Sequence, residues 1–207
     1  MTIFYCVRHG KTRFNQEGIF QGGSVDSPLT EEGIKGAVHL GKQLSKINFD
    51  LVMVSPLRRA MDTCALLMEE NQFPLDSIIQ PALKEMDFGK WEGELEAKYS
   101  HLTEFQQLVH APHLYQATLC GGETFREVLT RSFTFFETMA KKYPDETILV
   151  VSHGLFLQTF IKTIQGVKMA DLRKGTPLKN TSVSIIESKN QGKTFSVKRW
   201  NCTNLEE

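Results

Sequence analysis

Short runs of apolar residues recur along the chain and are separated by longer segments with helical periodicity. Three of these runs, 3–7, 51–54 and 147–151, are almost purely apolar, which is typical of strands buried on both faces of a parallel sheet. Two later runs, 182–186 and 194–197, alternate polar and apolar residues. They predict an antiparallel hairpin at the sheet edge, joined near residues 190–192.

The segments between the strands predict helices. Thr30 suits the N-cap of a helix that runs to about residue 47, and Ser55-Pro56 marks the start of another, since Pro favours the first turn. Further helices are predicted over 123–143 and from Gly154 to about residue 164. This alternation predicts an α/β fold, namely a three-layer α/β/α sandwich with a mostly parallel central sheet.

One stretch, from about 86 to 122, interrupts the alternation. It is rich in aromatic residues, among them Phe88, Trp91, Tyr99 and Phe105. We interpret it as an inserted helical lid over the sheet edge. The sequence shows no repeat and no linker, and 207 residues suit one core, so we expect a single domain over 1–207.

Composition narrows the function. Lys and Arg together number 24, as do Asp and Glu, so nothing indicates a nucleic-acid or anionic-membrane surface. No apolar stretch approaches the roughly 20 residues of a membrane-spanning helix, and the N-terminus lacks the basic region of a signal peptide. The cysteines are widely spaced, as expected for reduced thiols, which predicts a cytoplasmic location. His110 and His113 lack the companion ligands of a metal site, so we predict no metal.

Residues that carry chemistry follow three of the predicted strands. Arg8 and His9 follow the first, Arg58 begins the helix after the second, and His153 follows the third. Because ligands bind at the carboxyl ends of parallel strands, we expect these side chains to converge. Histidine is a nucleophile near neutral pH and arginine is a planar phosphate donor, so the pattern predicts phosphoryl chemistry on a histidine. We interpret the adjacent Arg59 as a surface ion-pair residue.

Two further positions bear on this chemistry. Gly10 follows His9, and we interpret it as a position that lets the backbone approach an anion closely. The leaving oxygen of a phosphomonoester must gain a proton, which a carboxylic acid can supply. Glu85, Asp87 and Glu92 are all candidates, and the residues alone do not distinguish them.

Several motifs, taken together and in this order, resemble the histidine phosphatase superfamily, in the branch that includes cofactor-dependent phosphoglycerate mutase and its phosphatase relatives. They are Arg8-His9-Gly10-Lys11-Thr12 with Asn15, Gln21-Gly22, Asp26-Ser27-Pro28-Leu29-Thr30, Ser55-Pro56-Leu57-Arg58-Arg59-Ala60 and Ser152-His153-Gly154. Segments 111–115 and 121–125 are most similar to bacterial broad-specificity phosphatases of this family.

The resemblance implies a reaction that needs no metal and no cofactor. His9 would attack phosphorus and form a phosphohistidine, and Glu85 would protonate the leaving group and then activate water. Arg8, Arg58 and His153 would surround the phosphoryl oxygens. Additional substrate-binding donors would come from Asn15, Gln21 and Gly22. The expected partner is a small-molecule phosphomonoester, and the C-terminal edge strand leaves a homodimer open.

Three functions stay open. A phosphoglycerate mutase must hold a bisphosphorylated intermediate, yet segment 86–122 offers only Lys90 and Lys98 against five acidic residues. That composition, with the short interval from Glu85 to His153, favours a phosphatase with broad or hydrophobic monoester preference over a mutase. A phosphate-binding regulator without turnover is the third hypothesis, and the complete catalytic set weighs against it.

Overall fold

A computed structural model of the protein describes residues 1–205 and contains one central sheet. Its strands are β1 (Thr2–Arg8), β2 (Leu51–Val54), β3 (Ser77–Ile79), β4 (Thr147–Ser152), β5 (Val183–Lys189) and β6 (Thr194–Cys202). The six strands lie in the order β3-β2-β4-β1-β5-β6. The β1–β4, β4–β2 and β2–β3 pairs are parallel, whereas β5 pairs antiparallel with β1 and β6. The mostly parallel sheet and its C-terminal antiparallel hairpin are therefore confirmed.

Helices cover both faces of this sheet. They are α1 (Arg13–Glu17), α2 (Glu31–Leu44), α3 (Arg58–Glu69), α4 (Thr103–His110), α5 (Phe125–Lys142) and α6 (Gly154–Ile164). Leu40 of α2 and Leu67 of α3 belong to a core cluster on one side of the sheet. Phe136 of α5 and Phe160 of α6 belong to the larger cluster on the other side. The three-layer α/β/α architecture is confirmed.

Strand β3 and helix α1 were not predicted, whereas helix α4 falls where we expected a helical lid, and the first two have weak sequence signals. Strand β3 has three residues, all exposed, at the outer edge of the sheet, so no buried apolar run marks it. Helix α1 has only five residues and no buried one, although Thr12 and Asn15 form a capping box at its start. Helix α4 lies inside the aromatic segment 86–122. No helix within residues 1–205 has the length and apolar character to cross a membrane.

Register brings three strand ends to the same level. Arg8 of β1 pairs with Ser152 of β4, and Val54 of β2 pairs with Val151 of β4. Backbone hydrogen bonds continue this alignment past the strands, because the His9 N–H donates to the Ser152 carbonyl at 2.9 Å. The residues that follow β1, β2 and β4 therefore lie side by side at one edge of the sheet.

Gly10 is required by chain packing rather than by an anion. A Cβ atom at Gly10 would lie 2.8 Å from the carbonyl oxygen of Gly33 in the first turn of α2. The Gly10 N–H donates to Thr63 Oγ1 of α3 at 2.9 Å. This close contact between the β1–α1 connection and α2 explains the glycine, and it corrects our interpretation that Gly10 serves to approach an anion.

Segment 86–122 packs against the main core. Phe88, Trp91 and Leu108 are buried in the larger cluster, and Phe20 lies 4.9 Å from the Phe88 ring and 5.5 Å from the Trp91 ring. The Glu104 carboxylate accepts backbone N–H groups from residues 118 and 119, which fastens the end of the segment to α4. Its aromatic residues are thus a fixed wall beside the carboxyl edge of the sheet.

The aromatic centre of the larger cluster predicts a stability effect. Phe136 is fully buried and stacks on Phe160 with ring centroids 4.2 Å apart. The Phe136→Ala variant should lose about 3–5 kcal/mol of unfolding free energy in urea denaturation, since it leaves a cavity. Phe73→Ala is the matched control, because Phe73 is 47% exposed and its loss should cost less than about 0.5 kcal/mol. Equal losses in both variants would contradict this packing.

Candidate active site

His9 lies directly after β1 with its ring almost fully buried, at 2% exposure. Its Nδ1 lies 2.8 Å from the Gly10 carbonyl oxygen, and because a carbonyl only accepts, Nδ1 carries the ring proton. Burial lowers the pKa of His9 well below its ordinary value, and the charges of Arg59 and Arg8 lower it further. The ring is therefore neutral near pH 7, with an unprotonated Nε2 available to attack.

His153 lies next to His9 and has one ring nitrogen without a partner. It is fully buried at the N-cap of α6, and the two imidazole centroids are 5.1 Å apart. Its Nε2 lies 2.7 Å from Ser55 Oγ, which also accepts the Leu57 N–H. In the tautomer in which the Ser55 hydroxyl donates to Nε2, Nδ1 carries the ring proton, and Nδ1 has no partner within residues 1–205. Ser55 thus orients His153. Our prediction that Ser55 begins and caps α3 is wrong, because the N-cap of that helix is Leu57.

Arg8 presents a guanidinium at the start of α6. Its Cζ would lie 3.2 Å from a Cβ placed at Gly154, so the absence of a side chain at Gly154 makes room for the cation. Nη1 donates to the Leu178 carbonyl, whereas the buried Nε has no partner among the described residues. Burial lowers the pKa of Arg8 to about 10, which leaves it charged at neutral pH.

The second arginine of the site is Arg59, not Arg58. The Arg58 side chain is 81% exposed and lies 3.5 Å from Asp62 of its own helix, so its placement in the crevice is wrong. Arg59 is fully buried, and its charge acts on both His9 and His153. The interpretation of Arg59 as a surface residue is also wrong. Helix α3 begins at residue 58 rather than 56, and the side chain that points inward is the second of the pair.

Backbone carbonyls of the loop 22–26 hold the Arg59 guanidinium. Nη2 donates to the Gly22 oxygen at 2.8 Å, and Nη1 donates to the Val25 oxygen and to Asp26 Oδ1, each at 3.0 Å. Burial lowers the pKa of Arg59, while Asp26 opposes this shift. Nε has no partner in the described part of the chain. Gly22 therefore reaches the site as a backbone acceptor for Arg59, a role we had not assigned.

Glu92 organises the same loop from segment 86–122. Its carboxylate accepts the N–H groups of Gly23, Ser24 and Val25 at 2.8–2.9 Å and that of Phe88 at 3.0 Å. Burial alone would raise the pKa of Glu92, but the bonds from Ser24 and from these backbone groups lower it on balance. Glu92 is thus occupied as an ionised acceptor that shapes the loop holding Arg59.

Glu85 is the candidate acid that reaches the site. It is 7% exposed and lines a cavity together with Arg8, whereas Asp87 and Glu92 do not line it. Oε1 accepts the N–H groups of Met86 and Phe156, and Oε2 accepts that of Leu155. Since each carboxylate oxygen has two lone-pair positions, Oε2 keeps one position for a proton.

The cavity beside these groups has a volume of about 220 Å³. Asn15 and Gln21 line it, so the structure brings both together with Arg8 and Glu85, whereas Gly22 does not line it. Apolar residues make up much of the lining, namely Ile19, Phe20, Phe88, Phe105, Leu108 and Val109, and Glu96 also lines the cavity. Arg173 also lines the cavity. Sequence reasoning missed it because no motif or apolar strand precedes it.

Unpartnered donors give this site its chemical character. Six buried side-chain polar atoms within residues 1–205 lack a hydrogen-bond partner, and four of them are nitrogens of residues described above. They are Arg8 Nε, Arg59 Nε, His153 Nδ1 and Gln21 Nε2. Buried donors without partners are costly, and an anion between two arginines would satisfy them. No group of three or more candidate metal-ligating side chains occurs in that part of the chain.

Comparisons with known proteins agree with this geometry. Residues 4–203 match the profile described as "Histidine phosphatase superfamily (branch 1)". "Phosphoserine phosphatase 1" of Hydrogenobacter thermophilus is 31% identical over 172 residues, which cover 82% of this chain and 79% of the relative. A "2,3-bisphosphoglycerate-dependent phosphoglycerate mutase" of Azorhizobium caulinodans is 29% identical over 191 residues, covering 85% and 90%. The solved structure of "Bacillus stearothermophilus YhfR" matches with a TM-score of 0.89 and 30% identity, covering 97% of both chains.

The positions of the two arginines predict different binding defects. Arg59→Lys should weaken binding of inorganic phosphate about 10- to 100-fold in titration calorimetry. The lysine ammonium cannot replace the planar set of N–H donors of the arginine guanidinium. Arg58→Lys is the matched control and should bind phosphate as the parent protein does. Circular dichroism and thermal melting check that both variants fold. A large loss in the Arg58 variant with none in the Arg59 variant would contradict the assignment.

Proposed function

Because the chain belongs to the histidine phosphatase superfamily, we propose that it is a metal-independent phosphomonoester hydrolase that forms a phosphohistidine on His9. The observation that carries the proposal is the set of four buried, unpartnered nitrogens on Arg8, Arg59, His153 and Gln21, together with a His9 imidazole whose Nε2 is unprotonated. These donors complement the oxygens of one phosphoryl group. Phosphoryl transfer gains most from such fixed positive charge, since charge spreads over the oxygens in the transition state.

The first half-reaction transfers the phosphoryl group to the enzyme. The lone pair of His9 Nε2 forms a bond to phosphorus while the bond from phosphorus to the leaving oxygen breaks. Glu85 in its acid form gives its proton from Oε2 to that oxygen, and the alcohol departs. Arg8, Arg59 and the His153 Nδ1–H donate to the non-bridging oxygens throughout.

The second half-reaction returns the enzyme to its starting state. Glu85, now a carboxylate, takes a proton from water while the water oxygen bonds to phosphorus. The bond from phosphorus to His9 Nε2 breaks, and inorganic phosphate leaves with the ring neutral again. The hydrogen bond from Nδ1 to the Gly10 carbonyl stabilises the positive ring that exists while the phosphoryl group is attached.

The cavity wall supports hydrolysis rather than mutase activity. Segment 86–122 contributes Phe88, Phe105 and Leu108 to the cavity but neither Lys90 nor Lys98. A mutase must retain a bisphosphorylated intermediate, which requires several cations around the distal phosphate. An apolar wall accepts varied leaving groups, so we propose that the enzyme hydrolyses a range of small phosphomonoesters.

The nucleophile variant tests this function. In the presence of EDTA, the parent protein should release phosphate from an aryl phosphate. When the phosphoryl group of that substrate is labelled and the reaction is quenched rapidly, the label should be found on the protein in an acid-labile, base-stable form. His9→Ala should abolish the label and lower turnover by at least about 10³-fold. His113→Ala is the matched control, because His113 is exposed.

Three outcomes would contradict the proposal. Undiminished phosphate release by His9→Ala would exclude the phosphohistidine route. Conversion of 3-phosphoglycerate to 2-phosphoglycerate with little hydrolysis would show that the protein is a mutase. Labelling of His9 without any phosphate release would favour a phosphate-binding regulator.

A further inference from the structure

We propose that Arg173 binds a second anionic group of the substrate, so that the preferred substrates are small phosphomonoesters with a second acidic group. This inference rests on the proposed function and names the substrate class of the same site. The argument uses the position of Arg173, its lack of a partner, the loop that holds it, and the size of the cavity.

Arg173 lies in the same cavity as the phosphoryl-binding residues. It follows the short turn Met169–Asp171 and lines the cavity with Pro177 and Leu178. Arg8 and Glu85 line the same cavity, Arg8 donates to the Leu178 carbonyl, and the charge of Arg173 acts on Arg8. A ligand whose phosphoryl group contacts Arg8 therefore has Arg173 in the same cavity.

The Arg173 guanidinium has no hydrogen bond and no ion pair within residues 1–205. The carboxylates whose charges act on it are Glu85 and Glu96. Three backbone N–H groups already bind the Glu85 carboxylate, and Glu96, which lines the same cavity, is exposed and makes no ion pair with Arg173. Arg173 is half-buried, and this burial lowers its pKa. A guanidinium in a cavity with its donors free is a group that an anion can bind.

The main chain on both sides of Arg173 is held by two buried polar side chains of α6. Lys162, only 8% exposed, donates to the carbonyls of Leu172 and Lys174 at 3.0 and 2.5 Å. Gln158, only 4% exposed, also donates to the Leu172 carbonyl and accepts the Leu178 N–H. Arg173 is thus carried by a loop whose backbone is held in place, as a pre-organised binding group requires.

The size of the cavity limits the length of substrate between the phosphoryl group and the second acidic group. Its volume of about 220 Å³ is below the roughly 300–1,000 Å³ typical of sites for drug-sized ligands. A compact ester with a few carbon atoms between its two acidic ends suits that space. A guanidinium binds a carboxylate or a second phosphoryl group through the same paired donors, so either satisfies Arg173.

The test compares esters that differ in one anionic group. Glycerol 3-phosphate and 3-phosphoglycerate share a carbon skeleton, but only the second has a carboxylate, and propane-1,3-diol bisphosphate carries a second phosphate instead. The parent protein should favour the acidic esters in kcat/KM. Arg173→Gln should lower kcat/KM for 3-phosphoglycerate about 10- to 100-fold, mainly through KM, and leave glycerol 3-phosphate within about threefold.

Further variants separate charge from structure. Lys174→Gln is the matched control, because the Lys174 side chain is 73% exposed. The hydrogen bond from Lys162 goes to the Lys174 backbone carbonyl, which the substitution keeps. It should leave both rates unchanged, and Arg173→Lys should restore part of the preference. A loss for the bisphosphate alone would identify a second phosphate as the group that binds Arg173, and a loss for 3-phosphoglycerate alone would identify a carboxylate.

Other results overturn the inference. Equal losses of Arg173→Gln on glycerol 3-phosphate and on the acidic esters would show a structural role for Arg173, and no loss on any ester would show no role. In both cases hydrolysis by the parent protein would leave the proposed function intact. A parent protein that hydrolyses none of the esters and forms no phosphohistidine would contradict the proposed function, and this inference with it.

Discussion

The site depends on the burial of the Arg59 guanidinium. A cation with no exposure to water is stable only where acceptors surround it, and here the carbonyls of residues 22 and 25 and the Asp26 carboxylate do so. The same charge, together with burial, keeps His9 and His153 neutral. One packed arginine therefore fixes the path of the loop 22–26, leaves a donor for an anion and maintains the nucleophile in its reactive form.

A series of contacts connects the loop that holds Arg59 to the wall of the cavity. Glu92 binds the backbone of the loop that holds Arg59, and it belongs to the aromatic segment that forms the apolar wall. Arg8, from the neighbouring strand end, contacts the start of α6 and the carbonyl of Leu178. The phosphoryl site, the aromatic wall and the loop that carries Arg173 are thus parts of one connected structure rather than separate additions to the sheet.

The long-range order of the fold could be predicted from the sequence, because apolar strands and amphipathic helices have strong periodic signals. Arg8, His9 and His153 could be placed for the same reason, since they follow buried strands directly. The choice between Arg58 and Arg59 could not be made that way. It depends on where the first turn of α3 begins, and in the structure the helix begins at Arg58, after Leu57 in an extended conformation, rather than at Pro56.

Residues that act through tertiary contacts were beyond sequence reasoning. Ser55 resembled a helix cap, but its hydroxyl contacts His153 from another strand end. Gly10 resembled an anion-binding glycine, but the nearby group is the carbonyl of Gly33. Arg173 lies in a loop without a motif and reaches the cavity only because Gln158 and Lys162 hold that loop. Each of these roles comes from packing between distant segments, which local patterns do not encode.

A crystal structure of the protein with orthovanadate is the most direct test of the central claim, which is that the unpartnered nitrogens converge on one phosphoryl group. We predict a five-coordinate vanadate bonded to His9 Nε2, with Arg8, Arg59 and His153 Nδ1 within hydrogen-bond distance of its equatorial oxygens and Arg58 remote from it. Glu85 Oε2 should lie beside the axial oxygen opposite His9. Vanadate bound elsewhere, or bound at this site without contact to Arg59 and His153, would contradict the account.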